Sequence, residues 1–550
     1  MIVEATKSGD WVVLQNCHLA TSWLPNLTSI WEEIISSPET HPEFRLWLTS
    51  YPSDNFPTSL LQAGIKITVQ RPMGIKPNLL SFYKSDLVKD EEFYAGGKGG
   101  QVFKKLLFSI CFFHGVVEER RHYGPIGWNI PYEFNISDLT VSARQLFSFL
   151  HEGQPPPWDA LTYLTAECNY GGRVTDVNDR RLVTSLLSKF YNKDVSDSKG
   201  YELSPSGTYR IPEDLSIENC RKEIKSLPDI VLPEALGLND NAAITRESAE
   251  SSMLLTCTLA TQPQVETGGD LDEGSSIEKE LSRLISKVPK LMNADIEEIY
   301  PVSYDECLNT VLRLEVDRYN QLIAVVRTTL EDLQGALKGE IIMSLEIEDT
   351  LESVRNREVP IAWLMSGFPS KRSLEGYIEN LAERVIFYNK WIEEGIPKSF
   401  WLSGFFNHHS FISALKQNYA RIQKCSVDDV GFEFSVQEEG DGIEPGAQAI
   451  HGLFIEGARW DEQTKTLAES LPKVQYSKLP PIKMKTRKIV NDDPEHPGYP
   501  CPVYVTQGRW GETNTIGNST NFIFYIYLPS NKDTTHWTNR GVAALCQIDI

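Results

Sequence analysis

The sequence predicts an α/β segment with a partial parallel sheet and helices, followed by a helical subdomain and an α+β region of helices with an antiparallel β-barrel or sandwich. Three observations predict it. Two short, continuously apolar runs flank a helix-period run near the start; helical spacing dominates from Val102 to Ile392; after Val430, short β runs recur between Gly, Pro, Asn and Asp turns. The 550 residues suggest about three to four domains.

Composition narrows the class. Hydrophobic residues are 41% and charged residues 23%, the balance of a globular protein. A net charge of −22 argues against nucleic acid or an anionic membrane as the main partner, because an acidic surface repels both. The nine cysteines show no C-x-x-C spacing, so neither a zinc ribbon nor a disulfide scaffold is expected, and a reducing compartment fits. No apolar run reaches the roughly 18 residues of a membrane span, and the first residues lack the pattern of a secretory leader.

Trp11 to Gln15 (WVVLQ) reads as a strand buried on both faces. Trp23, Leu27, Ile30, Trp31 and Ile34 give a helix stopped at Ser36-Ser37-Pro38, and Phe44 to Thr49 gives a second buried strand, completing a βαβ unit. Ile65, Ile67 and Val69 suggest one more short strand. An α/β sheet places its ligand at such strand ends, but the chemistry expected there is missing. A phosphate loop needs glycines ending in Lys-Ser/Thr; Gly96 to Gly100 with Lys98 has no hydroxyl after the lysine and no strand before it, and reads as a flexible loop. Gln15-Asn16 supplies amides where a metal-assisted ATPase needs carboxylates to hold magnesium and activate water.

Other temptations fail on geometry. His114, Glu118 and His122 recur every four residues, yet three ligands along one straight helical face spread too far for a metal, and no H-E-x-x-H is present. His408-His409 has neither a nucleophile nor an orienting carboxylate beside it in the sequence. The densest charge lies in LTYLTAECNYGGRVTDVNDRRLVTSLL, Leu161 to Leu187. There one helical run ends at Tyr170, breaks at Gly171-Gly172 and resumes after Asp176. The glycines are expected to end the first helix in left-handed conformations, with Asp176 or Thr175 capping the second. Arg173, Asp176, Asp179, Arg180 and Arg181 are the candidate site residues, read as ion-paired structural or interface groups.

Pro228, Pro233 and Gly237 mark a turn-rich exit before a helix from Ile244 to Leu259, and Thr261 to Ser276 has a linker's composition. From Leu308 to Leu337 apolar residues recur at steps of four and three. That seam suits a long helix packed in a bundle more than a free coiled coil, since Ala324 and Val325 widen its apolar face. Helices follow at Glu340 to Glu352, Leu374 to Ile392 and Phe411 to Arg421. Strands are then expected at Phe432 to Val436, Ile450 to Ile455, Val474 to Tyr476, Val503 to Thr506, Phe522 to Leu528 and Gly541 to Ile548. Phe522 to Tyr527 is apolar on both faces, so something must cover it, with the preceding helices as the expected cover.

The stretches GDWVVLQNCHLATSWLPNL, FRLWLTSYPSDNFPTSLLQAGIKIT, YGPIGWNIPYEFNISDL, PIAWLMSGFPS, FWLSGFFNHHSFISALKQNYAR, HGLFIEGARWD and STNFIFYIYLPSNKDTTHWTNRGVAALCQIDI resemble the C-terminal part of dynein heavy chains over nearly the whole sequence. The wording YGPIGWNIPYEFN and the long final region are similar to axonemal, inner-arm types. The resemblance implies that residues 1–125 are a remnant of the large subdomain of the sixth AAA+ module. It implies a small helical lid at 126–260, a linker at 261–276, and a C-terminal domain with a helical part at 277–425 and a β-rich part at 426–550. Gln15-Asn16 would then stand at the Walker B position and Thr49-Ser50 near sensor I, while Arg173 or Arg180 are candidates for sensor-like or intersubunit contacts.

On this resemblance the protein would supply a non-hydrolysing ring module and a capping domain to an ATP-dependent, minus-end-directed microtubule motor of the cilium or flagellum axoneme, a cytoskeletal and cytoplasmic setting. No cofactor is expected in this segment, with ATP and magnesium held by modules absent from it. Implied partners are the remaining AAA+ modules, dynein intermediate and light chains, and microtubules through an absent stalk, with neither nucleic acid nor membrane. The alternatives are a free-standing dynein-like scaffold without motor activity and an independent ATPase with an unrecognised site, which the missing phosphate loop disfavours.

Overall fold

The computed structural model describes residues 1–36, 40–53, 55–68, 72–150, 154–260, 271–292, 296–437, 447–489, 498–511 and 521–548. They divide into two compact units, Met1–Pro72 and Met73–Ile550.

In the first unit, strand β1 (Trp11–Leu14) pairs in parallel with β2 (Arg45–Leu48), and the connection carries the helix Leu24–Ser36. Side chains alternate across a strand, so Val12, Leu14, Leu46 and Leu48 turn toward Ala5, Leu24 and Leu27, while Trp11, Val13 and Trp47 turn outward. The expectation that β1 is buried on both faces is therefore corrected: Trp11 is 66% exposed and Val13 52%. With two strands and helices packed on one face, the other face stays open. Ile65 and Ile67 are exposed and form no strand, and Val69 lies outside the described residues.

The second unit contains two large cores. One is organised by the helix Gly100–Glu119, in which every residue from Leu106 to Val117 is buried. The segment Glu91–Ile126 is long and apolar enough to cross a membrane, but 72% of its most apolar window is buried inside the protein. A helix apolar all round is what the centre of a bundle requires. Around it pack the helices Ile75–Tyr83, Ile136–Phe149, Val177–Leu187 and Ile217–Ser226. The glycine run before it is not a loose loop. Gly97–Gly99 forms a tight turn in which added Cβ atoms would strike Phe147 and Leu150, so these glycines serve close packing.

The other core is built on the helix Cys307–Leu337, whose seam Leu308, Leu312, Val316, Tyr319, Ile323, Val326, Leu330 and Leu333 is fully buried. The protein's own helices Leu374–Glu394 and His408–Gln423 fill the seam, in place of a coiled-coil partner. The helix expected at Glu340 to Glu352 starts later, at Leu345, because Gly339 adopts φ +81° and the Ser344 side chain caps the new start. The helix expected from Ile244 spans Ala242–Ala260. Of the expected linker, 261–270 lie outside the described residues, and a helix begins at Leu271.

The strands form mixed sheets. β3 (Ser399–Trp401), β4 (Val430–Val436), β5 (Ala447–His451) and the later β10 (Ile482–Lys488) make a four-stranded sheet in the order β3-β5-β10-β4. β6 (Phe454–Glu456), β9 (Tyr476–Lys478), β11 (Tyr499–Thr506), β12 (Phe522–Leu528) and β13 (Ala543–Gln547) make a five-stranded sheet, order β12-β11-β13-β6-β9. Between them β7 (Arg459–Asp461) and β8 (Thr466–Ala468) form a hairpin. The expected all-antiparallel barrel or sandwich is corrected, because β3–β5 and β11–β13 pair in parallel and no closed barrel forms among the described residues. The single strand expected at Ile450 to Ile455 is two strands, split where Gly452 takes φ +83°. The Phe434 ring stacks on Phe524 at 5.4 Å, joining the two sheets.

Candidate functional site

Two places were open for chemistry, and at the first the strand end carries amide and hydroxyl side chains. At the carboxyl end of β1, Asn16 adopts φ +56° and its N–H donates to Thr49 Oγ1 at 3.0 Å, while Cys17 N–H donates to the Thr49 carbonyl at 2.9 Å. The Thr49 side chain thus fastens the strand end, and the side chain at position 16 is an amide, with no carboxylate to hold a cation. Among the described residues no group of three or more His, Cys, Asp and Glu could hold a metal ion. His114 is buried with Nδ1 3.0 Å from the Tyr170 hydroxyl. Burial and the nearby Arg384 push buried His408 down to about 3, so it stays neutral in the core.

The charged corner is the second place. Its first helix winds as a π-helix over Tyr163–Tyr170, and a short turn Gly171–Arg173 leads to the capped helix Val177–Leu187. Asp176 Oδ1 accepts from the N–H groups of Asn178 (2.8 Å) and Asp179 (3.0 Å), as expected of a cap. The expected left-handed glycines are corrected: Gly171 has φ −64°, and a Cβ there would sit 2.3 Å from the Ala166 carbonyl oxygen. Glycine is needed for close backbone approach across the widened turn.

The expectation of ion-paired groups holds for Arg173 and is corrected for the other four. Arg173 pairs with Asp138, outside the cluster, at 2.8 Å. Arg180 Nη2 donates to the Val174 carbonyl at 3.1 Å. Arg181 crosses to the strand β11, donating to the Pro500 carbonyl (3.3 Å) and the Tyr499 hydroxyl (3.4 Å) and lying over the Tyr499 ring. Asp176 and Asp179 turn inward and are buried. Asp179 accepts from the backbone N–H groups of Asn129 (3.1 Å) and Ile130 (3.2 Å); Asn129 Nδ2 donates to Asp176 Oδ1 at 3.3 Å. Burial pushes Asp179 up to about 7, and the neighbouring Asp176 adds to the shift.

This corner is half of a joint with the C-terminal strands. The Tyr504 hydroxyl on β11 accepts from Asn129 Nδ2 and Asn178 Nδ2, both at 2.9 Å, and Tyr525 on β12 donates to Asn178 Oδ1 at 2.9 Å. The doubly apolar strand β12 thus meets the corner helix on this side, while Ile523, Ile526 and Leu528 lie in the core built on the preceding helix Cys307–Leu337, the cover that was expected. Sequence reasoning missed the joint's centre. Arg120, fully buried, donates to four carbonyls: Gly127, Ile126 and Leu236 beside it, and Asn539 near the C-terminal end. Burial pulls its guanidinium down to about 9, with Asp179 opposing. A second contact is made by Asn241 Nδ2, which donates to the carbonyls of Leu471 and Val474, each at 2.8 Å. One signal for Arg120 was present in the sequence: the glycines Gly124 and Gly127 just after it, since a Cβ at Gly127 would lie 1.9 Å from the Arg120 carbonyl oxygen.

A lid-like helical bundle locked to a mixed-sheet domain, preceded in the sequence by a short parallel βαβ unit without catalytic carboxylates, is the layout of a AAA-type ring module with an appended domain. Three family models match in that order: the region D6 P-loop domain of the dynein heavy chain over residues 1–68, the AAA lid domain of the dynein heavy chain over 103–242, and the C-terminal domain of the dynein heavy chain over 248–546. The protein belongs to the dynein heavy chain family. Along its entire length it is similar to dynein axonemal heavy chain 3 of Homo sapiens (45% identical, 13% of that relative), dynein axonemal heavy chain 12 of Homo sapiens (42%, 18%) and dynein axonemal heavy chain 1 of Homo sapiens (41%, 13%). It therefore spans between 13% and 18% of the length of these relatives and corresponds to their C-terminal region.

Proposed function

We propose that this protein acts as the C-terminal segment of an axonemal heavy chain, giving a non-hydrolysing ring module and a capping domain to an ATP-dependent, minus-end-directed microtubule motor of inner-arm type. The observation that carries the reading is the joint, in which Tyr504, Asn129 and Asn178 tie the lid to the C-terminal strands. A lid that moves with its ring drags the capping domain with it through such a contact. ATP and magnesium belong to modules outside this segment, and the amide at Asn16 and the packed turn at Gly97–Gly99 support a passive role here. The partners of this reading are the remaining AAA+ modules, intermediate and light chains, and microtubules reached through the stalk. The axonemal relatives imply the axoneme of a cilium or flagellum as its place. A free-standing scaffold is not favoured, since the whole sequence aligns within motor heavy chains.

The test is magnesium-dependent ATP turnover by the purified protein. None is expected, and saturable turnover that persists in Lys98→Ala and Arg173→Ala would overturn the passive role.

A further inference from the structure

Asp176 and Asp179 lie one helical turn apart, 1% and 2% exposed, and among the described residues neither has a cation within ion-pair distance. The groups that donate to them are neutral: the backbone N–H groups of Asn129, Ile130, Asn178 and Asp179, and the Asn129 amide. The cations nearby are committed elsewhere. Arg120, from the end of the central lid helix, spends its guanidinium on four carbonyls. On their own helix, Arg180 and Arg181 turn to Val174 and to Tyr499. From the C-terminal strands come the Tyr504 and Tyr525 phenols and Arg509, which pairs with Glu456. Tyr132 closes the remaining side, its hydroxyl accepting from Asp176 N–H at 3.1 Å. A dehydrated carboxyl at Asp179, one turn from the Asp176 carboxylate and without an ion-paired cation, favours retaining a proton.

We propose that Asp179 holds a proton while the joint is closed and releases it to solvent when the joint opens, so that the tie between lid and C-terminal domain loosens as pH rises. The proposal rests on the reading of this contact as a mechanical tie and adds its regulation. The upward push of burial on Asp179, to about 7, agrees with it, whereas burial also raises Tyr132, Tyr504 and Tyr525 and keeps those phenols protonated. An aspartate raised in the closed state contributes stability that is complete at low pH and lost as pH climbs through its closed-state value. Between the ordinary aspartate value of about 4 that the open form regains and the closed-state value, the closed form binds one proton more than the open form, so the opening equilibrium grows by as much as about tenfold per pH unit.

Hydrogen–deuterium exchange on the intact protein tests it at the amides of Asn129 and Ile130, which donate directly to Asp179, between about pH 5 and about pH 8. After correction for base-catalysed chemical exchange, protection at these amides should fall by up to about tenfold per pH unit until Asp179 is fully ionised, while amides of the helix around Tyr319 stay level. In Asp179→Asn the slope should vanish. Infrared difference spectra of the native protein should show a protonated carboxyl band that bleaches with rising pH; this needs no variant to fold. A level profile in the native protein, an unchanged slope in Asp179→Asn, or no such band would overturn proton linkage. That failure would leave the mechanical tie standing, since the tie is judged separately by how Arg181 variants couple ATPase to movement.

Discussion

The joint contains two buried acid sites that solve the same problem differently. Glu456 on β6 is buried against the equally buried Arg509, which also donates to the Gly541 carbonyl at 2.9 Å. Asp179, in the corner helix, is buried with neutral donors, the backbone N–H groups of Asn129 and Ile130, and no ion-paired cation. An acid held by a buried cation keeps its charge, and removing either partner strands the other. An acid held by neutral dipoles loses little when it is itself neutralised, and its charge becomes the variable. One side of the joint is a fixed rivet and the other an adjustable one.

Glu456→Ala should show the largest loss, about 3–5 kcal/mol in thermal or urea unfolding, because Arg509 is left buried and unpaired. Asp179→Asn at pH near neutral should cost far less, and equal losses for the two would erase the contrast. Arg120→Met removes donors to four carbonyls and should cost about 1–3 kcal/mol, with the link to the Asn539 carbonyl breaking first. Tyr504→Phe leaves the Asn178 amide without its acceptor and should cost about 1–2 kcal/mol, read as increased exchange at the corner helix. Arg173→Ala should change stability by less than about 1 kcal/mol, since its pair with Asp138 is 40% exposed on the arginine side and never reaches the C-terminal strands. A large effect there would return the corner to the ion-pair reading.

Much of the fold was written in local pattern. The seam from Leu308 to Leu333, the βαβ unit and the capped corner at Asp176 follow from periodicity and capping chemistry that neighbouring residues decide. What escaped depends on distant partners. Five charges in a short turn suggest ion pairs with neighbouring elements, and Arg173 finds one in Asp138, yet where the others point is set by residues as far away as Tyr499 and Tyr504. Arg120 sits beside Glu118, Glu119, Arg121 and His122, so nothing in the charge pattern marks it as the one wholly removed from solvent. The strand β10 alternates lysines with Ile482 and Met484, too polar a run to stand out beside the wholly apolar β12. The mixed sheets, too, depend on pairings such as β3 with β5 that no single stretch encodes.

The central claim is that the joint carries motion between lid and capping domain. Its most direct test compares ATP turnover with microtubule gliding in a full-length motor bearing Arg181→Ala together with Tyr504→Phe. The account predicts that turnover continues while gliding per ATP falls severalfold. An unchanged ratio of gliding to turnover, with the joint shown to be loosened by exchange at Asn129 and Ile130, would contradict it.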